Sequence, residues 1–112
     1  MALRNLLTIA AIIFFTASSQ ATPQDQCRYA GGHVHIQSVT ESISDNGYKY
    51  RVLFRNDWQK PVNVFWHFSD REVQGFRSPI RVPASSTAYV DLTKRGGPSN
   101  GRAEIINAID CN

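Results

Sequence analysis

Directly after an Asn46-Gly47 pair the chain alternates with a period of two. Tyr48, Tyr50, Val52 and Phe54 fall on one side, and Lys49, Arg51 and Arg55 on the other, with Leu53 the exception. An extended strand with one buried face sorts side chains this way, because successive residues of a strand point to opposite faces. A helix would mix the aromatic and basic residues around its circumference. Asn-Gly between alternating runs is also the strongest short-range hairpin signal, so a strand must precede it. That partner begins at Val34, with Val34 and Ile36 on one face and His33, His35 and Gln37 on the other.

The rest of the chain repeats this grammar. Asn56 to Pro61 reads as a turn. Residues 62–69 form a strand with Val62, Val64, Trp66 and Phe68 on one face and Asn63, Phe65, His67 and Ser69 on the other. A short strand is predicted from Val73 to Phe76. Residues 80–83 are extended, with Pro83 marking a strand end or an edge. After a turn at Ala84 to Ser86, residues 87–93 place Ala88, Val90 and Leu92 inward. Residues 94–102, Lys-Arg-Gly-Gly-Pro-Ser-Asn-Gly-Arg, read as the longest loop, and Ala103 to Cys111 as the last strand. Turns every 8–12 residues predict an all-β fold, a small immunoglobulin-like two-sheet sandwich of six to seven antiparallel strands. The hydrophobic share of 42% and aromatic share of 11% suffice for a core and argue against disorder.

Residues 1–21 read as an address rather than as fold. Arg4 supplies a positive n-region, and residues 6–17 are a 12-residue apolar run, too short for a spanning helix of about 20 residues. Ser19 and Ala21 are the small residues of a cleavage site. Cutting after Ala21 leaves residues 22–112, of which 22–32 are a polar, Gly-rich leader and 33–112 the sandwich domain. The reading is an exported chain, periplasmic or extracellular, with no membrane insertion after cleavage. In an oxidising compartment Cys27 and Cys111 are expected to form a disulfide. On the chain-entropy model, closing so long a loop contributes about 4 kcal/mol. The antibody-type inter-sheet Cys–Trp–Cys arrangement is absent, because these cysteines sit near the ends of the mature chain.

Charge and motifs exclude more than they assign. Of the 12 Lys and Arg, removal of Arg4 leaves 11 against 9 acidic residues, a balance too mild to imply nucleic acid. No Gly-x-Ser-x-Gly context surrounds any serine. Asp70 and Glu72 are too close in sequence to face each other across a sugar-sized cleft. No enzyme and no cofactor is therefore expected. His33 and His35, as His-x-His in a strand, would share a face and could chelate copper or zinc, with His67 completing a metal site. His-Val-His in an exported sandwich resembles the copper site of the copper–zinc superoxide dismutases, but the remaining histidines and the glycine-rich loop of that family are missing.

Three surfaces remain as binding candidates. Trp58, in a turn, offers an aromatic anchor for a sugar or a protein. Lys49, Arg51 and Arg55 make a basic stripe, and Arg95 and Arg102 flank a glycine-rich loop whose backbone N–H groups suit an anion. The leading expectation is a non-catalytic binding or accessory module whose partner is another protein, in the manner of a chaperone, inhibitor or assembly factor, engaged through a sheet edge or end loops. Metal binding by His33, His35 and His67 is the alternative, and carbohydrate binding by Trp58 a third reading.

Overall fold

The structure, a computed structural model, describes residues 27–111. The predicted signal peptide and residues 22–26 of the leader lie outside the described residues. Seven strands follow one another: β1 (Cys27–Tyr29), β2 (Val34–Ser44), β3 (Gly47–Asn56), β4 (Val62–Phe68), β5 (Ile80–Val82), β6 (Ser86–Arg95) and β7 (Ala103–Cys111). They form two antiparallel sheets, one ordered β1-β7-β4-β5 and the other β2-β3-β6. The order follows the immunoglobulin arrangement. β2, β3 and β6 stand where strands A, B and E stand, and β7 and β4 where F and C stand. The position of the last strand, G, is held among the described residues only by the three residues of β1.

The alternating rows read from the sequence are the two inner walls of the core. Val52 and Phe54 of β3 and Val62, Val64 and Trp66 of β4 are all fully buried. Phe54 and Trp66 meet edge to face with centroids 5.2 Å apart, the geometry that the ring quadrupoles favour. The indole N–H of Trp66 donates to the Arg77 carbonyl at 2.6 Å, so its one polar atom is satisfied where it is buried.

The polar anchor of the opposite end is Asn56, completely buried at the close of β3. Its amide N–H₂ donates to the carbonyls of Lys60 (2.8 Å), Pro83 (3.1 Å) and Val82 (3.3 Å), while its Oδ1 accepts from the Trp58 N–H at 2.9 Å. One side chain thus fixes both the β3–β4 turn and the β5–β6 connection.

Four details depart from the sequence reading. Part of the stretch read as leader is structural, for β1 pairs with β7 and a 3₁₀ turn follows at Gly31–His33. Residues 73–76 are not a strand. They contribute a single bridge, Gln74 to Thr93, because Gly75 turns the chain away at φ 93°. β6 runs two residues further than read, through Lys94 and Arg95. The hairpin connection is Asp45-Asn46, and Gly47 already belongs to β3. Glycine is needed there because a Cβ would lie 2.0 Å from the Lys94 carbonyl oxygen across the ladder.

Asn56→Ala is expected to strip three carbonyls, that of Val82 buried, and one N–H of their partner, costing about 2–3 kcal/mol. For a domain of this size that lowers Tm by roughly 10–20 °C. A thermal melt followed by circular dichroism measures it, and a loss under about 3 °C would show that water replaces the amide.

Candidate functional site

The outer face of the three-stranded sheet carries the predicted basic stripe, but each arginine has a counter-ion, Arg51 through strand register and Arg55 through Asp57 two residues on. Arg51 is the Cα partner of Asp91 on β6. Its guanidinium donates to both carboxylate oxygens, at 2.8 and 3.0 Å, and lies 3.9 Å from the Tyr89 ring centroid. Arg55 donates to Asp57 at 2.8 Å. Lys49 is the member of the stripe without an ion pair among the described residues. The face is a ladder of compensated charges rather than a field of free cations.

The histidines do not converge. His33 sits in the 3₁₀ turn instead of a strand, because the chain is there crossing from one sheet to the other. Its ring stacks on Trp58, centroids 4.7 Å apart and planes within 5°. His35, on the outer face of β2, has Nδ1 3.8 Å from an Asp57 oxygen. His67 lies on β4 of the other sheet, exposed. No group of three or more His, Cys, Asp or Glu side chains among the described residues is placed to hold a metal ion. Trp58 is half-buried, folded back on His33 and packed against the core, with the Lys60 ammonium 5.5 Å from its ring centre.

At the opposite end the loop after β6 is clasped rather than open. The Ser99 hydroxyl donates to Asp70 at 2.5 Å, and the Ser99 N–H donates to the Tyr50 hydroxyl at 2.6 Å. Asp70 meets the serine directly with no imidazole between them, which is the geometry of a structural tie and not of an activated nucleophile. Lys94 pairs with Glu72 at 3.4 Å and donates to the Gly97 carbonyl at 3.0 Å. Arg95 closes β6 opposite Gly47, and the N–H of Arg102 donates to the Ser69 hydroxyl at 2.8 Å. The two arginines therefore flank a loop whose geometry is set by serine and lysine contacts.

The site that stays open is the side of the sandwich where β2 and β7 face each other across the gap between the sheets. β1 covers β7 only from Ile109 to Cys111, and the Ala30 N–H then takes the Ala108 carbonyl at 2.8 Å. From Ala103 to Asn107 no strand among the described residues lies on that side of β7. β2 is the edge strand of its own sheet, eleven residues long. A two-residue connection makes Ser44 and Gly47 the hydrogen-bonded closing pair of the hairpin. The Gly96 N–H reaching the Asn46 carbonyl at 3.3 Å sets the same alternation from the other side of β3. Thr40 and Ser42 therefore turn their backbone polar groups toward β3. Val39, Glu41 and Ile43 turn theirs outward to the free edge.

The side chains of these three residues lie opposite Val52, Tyr50 and Tyr48, on the core-facing side of the sheet. Yet Val39 is 44% and Ile43 82% exposed, and Ile106, the extra residue at the bulge in β7, is 68% exposed. Among the described residues, core-facing apolar side chains thus lie beside unpaired backbone along β2. A bulge between Ile36 and Ser38 shifts the alternation by one residue, so this stretch does not continue the pattern of Val34 and Ile36 in the sequence.

No family of known proteins, no curated protein and no solved structure matches the chain.

The ion pairs set the response to pH. Arg51 holds the Asp91 carboxyl below its usual range, Arg55 does the same for Asp57, and the Ser99 hydroxyl for Asp70. Burial pushes the Tyr50 hydroxyl up, and the neighbouring Glu41 adds to it. A lowered carboxyl stabilises the fold above its unfolded value, near 3.9, and this is lost as pH falls through the folded value; a raised phenol stabilises below about 10. Tm is therefore expected to be level from about pH 5 to 9 as far as these groups are concerned, and to fall on both sides. Arg51→Ala should lessen the acid-side fall in a pH series of melts, and a Tm that rises between pH 5 and 3 would contradict the assignment.

Proposed function

We propose that this chain is a small exported, non-catalytic binding module that takes up an extended segment of another protein as an added strand along β2. The observation that carries this reading is the free edge of β2, where Val39, Glu41 and Ile43 present outward backbone donors and acceptors beside exposed, core-facing apolar side chains. Strand addition draws affinity from main-chain hydrogen bonds and specificity from alternate side chains, and both elements lie along this edge. Sandwiches with complete sheets commonly protect such edges by shortness, proline or a covering loop. β2 is long, has no proline, and lacks a covering strand among the described residues.

The N-terminal sequence motivates the export part of this reading, and the Cys27–Cys111 disulfide is compatible with it. No helix among the described residues is long and apolar enough to cross a membrane. A chaperone, an inhibitor or an assembly factor would each use an edge of this kind. The partner class is thus an exported protein with a segment free to extend.

Proline at position 43 removes an outward N–H without breaking the β2–β3 ladder, and edge strands tolerate it there. Capture of partners from the exported fraction of the native source is expected to be lost with Ile43→Pro and kept with Arg51→Ala, with both variants still folded. Loss with Arg51→Ala and retention with Ile43→Pro would move the binding surface to the outer sheet face.

A further inference from the structure

The open edge has a polarity of its own, and it selects the strand that fits. Along its outward-bonding positions β2 reads Val39, Glu41, Ile43: a carboxylate between two apolar residues, all three on the core-facing side. Glu41 forms no ion pair among the described residues; the group nearest its influence is the Tyr50 hydroxyl. Tyr50 in turn is held by the Ser99 N–H. Lys94 also reaches Tyr50, but its ammonium is paired with Glu72 at 3.4 Å, so among the described residues no ion pair neutralises the Glu41 carboxylate.

We propose that the strand taken up by this edge carries a Lys or Arg flanked, two positions away on each side, by apolar residues. This inference rests on the strand-addition reading above and adds the chemistry of the partner. An incoming strand whose backbone bonds to Val39, Glu41 and Ile43 sets its own alternate side chains beside theirs. Opposite charges directly across a pair of strands stabilise, and like charges destabilise. Apolar residues at the flanking positions cover Val39 and Ile43, and a basic residue between them meets Glu41. The pattern is symmetric about its centre, so it fits a strand running in either direction.

The same residue argues against a second copy of this chain as the occupant. Antiparallel self-pairing that matches Val39 with Ile43 sets one Glu41 directly opposite the other. An inward-pointing charge on an edge strand is a known guard against such homotypic pairing. Glu41 thus serves twice, repelling a copy and attracting a basic strand.

The test uses the disulfide-intact mature chain and three nine-residue peptides with the central sequence Val-Thr-X-Thr-Val, where X is Lys, Gln or Glu. Affinity is read by fluorescence anisotropy at two salt concentrations. The Lys peptide is expected to bind the wild-type chain about ten-fold more tightly than the Glu peptide, on the scale of cross-strand charge pairs. The difference should shrink as salt rises. In Glu41→Lys the order of the peptides should reverse. Ile43→Pro should abolish binding of all three. Equal affinities for the three peptides, all lost in Ile43→Pro, would overturn the basic preference and leave strand addition standing. Binding unaffected by Ile43→Pro, or no binding by any peptide, would overturn both. Sedimentation of the wild-type chain as a dimer at neutral pH, abolished by Ile43→Pro, would name a second copy as the occupant and also overturn the proposal.

Discussion

The contact on which the fold depends is the meeting of two alternating rows, one on β3 and one on β4, with Phe54 set edge-on against Trp66 at its centre. Each row is apolar on one side only, so neither strand is stable until the other covers it. Once they face each other, every further element is placed by what remains exposed. β6 extends the sheet of β3, and Val90 and Leu92 complete its wall. β7 extends the sheet of β4 with Ala108 at the wall, a residue small enough to sit beneath the crossing chain at Ala30. The short β5 closes the other edge against Val62 and Val64.

The two sides of the sandwich are unequal. One side is tied by the Asn56 network, the β5–β6 connection and the Gln74–Thr93 bridge on the β6 edge. On the other, three residues of β1 do the work of a full strand, and three residues are a marginal unit on their own. The disulfide joins Cys27 to Cys111, which are cross-strand partners in the β1–β7 ladder, over a sequence separation of 84. It pins β1 at one end of β7, and among the described residues no strand covers β7 from Ala103 to Asn107 on that side. Stability is thereby separated from closure. The covalent tie sits at one end of the β7 edge, while β2, the edge strand of the other sheet, is held by its ladder with β3.

Legibility in the sequence followed burial. β3 and β4 were readable because one face of each is wholly inside, which enforces strict alternation over Tyr48 to Phe54 and Val62 to Phe68. β2 was readable only at its start. Beyond Ile36 the bulge reverses which parity faces inward, and half of the strand is polar because no second sheet lies over it. Val39 and Ile43 share a parity and could have been noticed as a displaced pair, but only with the bulge known. Residues 73–76 misled because apolar side chains alone do not reveal that Gly75 turns. The basic stripe is visible as Lys49, Arg51 and Arg55, and Asp57 lies two residues from Arg55; Asp91 is not visible as a partner, since it reaches Arg51 only through the register of β3 with β6. His33 and His35 looked like a chelating pair on the assumption that the strand began before Val34, whereas the chain is still turning there.

Among the described residues β2 has a bonded side and a free side, and amide hydrogen exchange resolves the two residue by residue. In the mature, disulfide-intact chain, the amides of Thr40 and Ser42 should be protected by the β2–β3 ladder, while those of Val39, Glu41 and Ile43 should exchange with little protection. Uniform protection along residues 39–43 would show that the edge is already covered and would contradict the account.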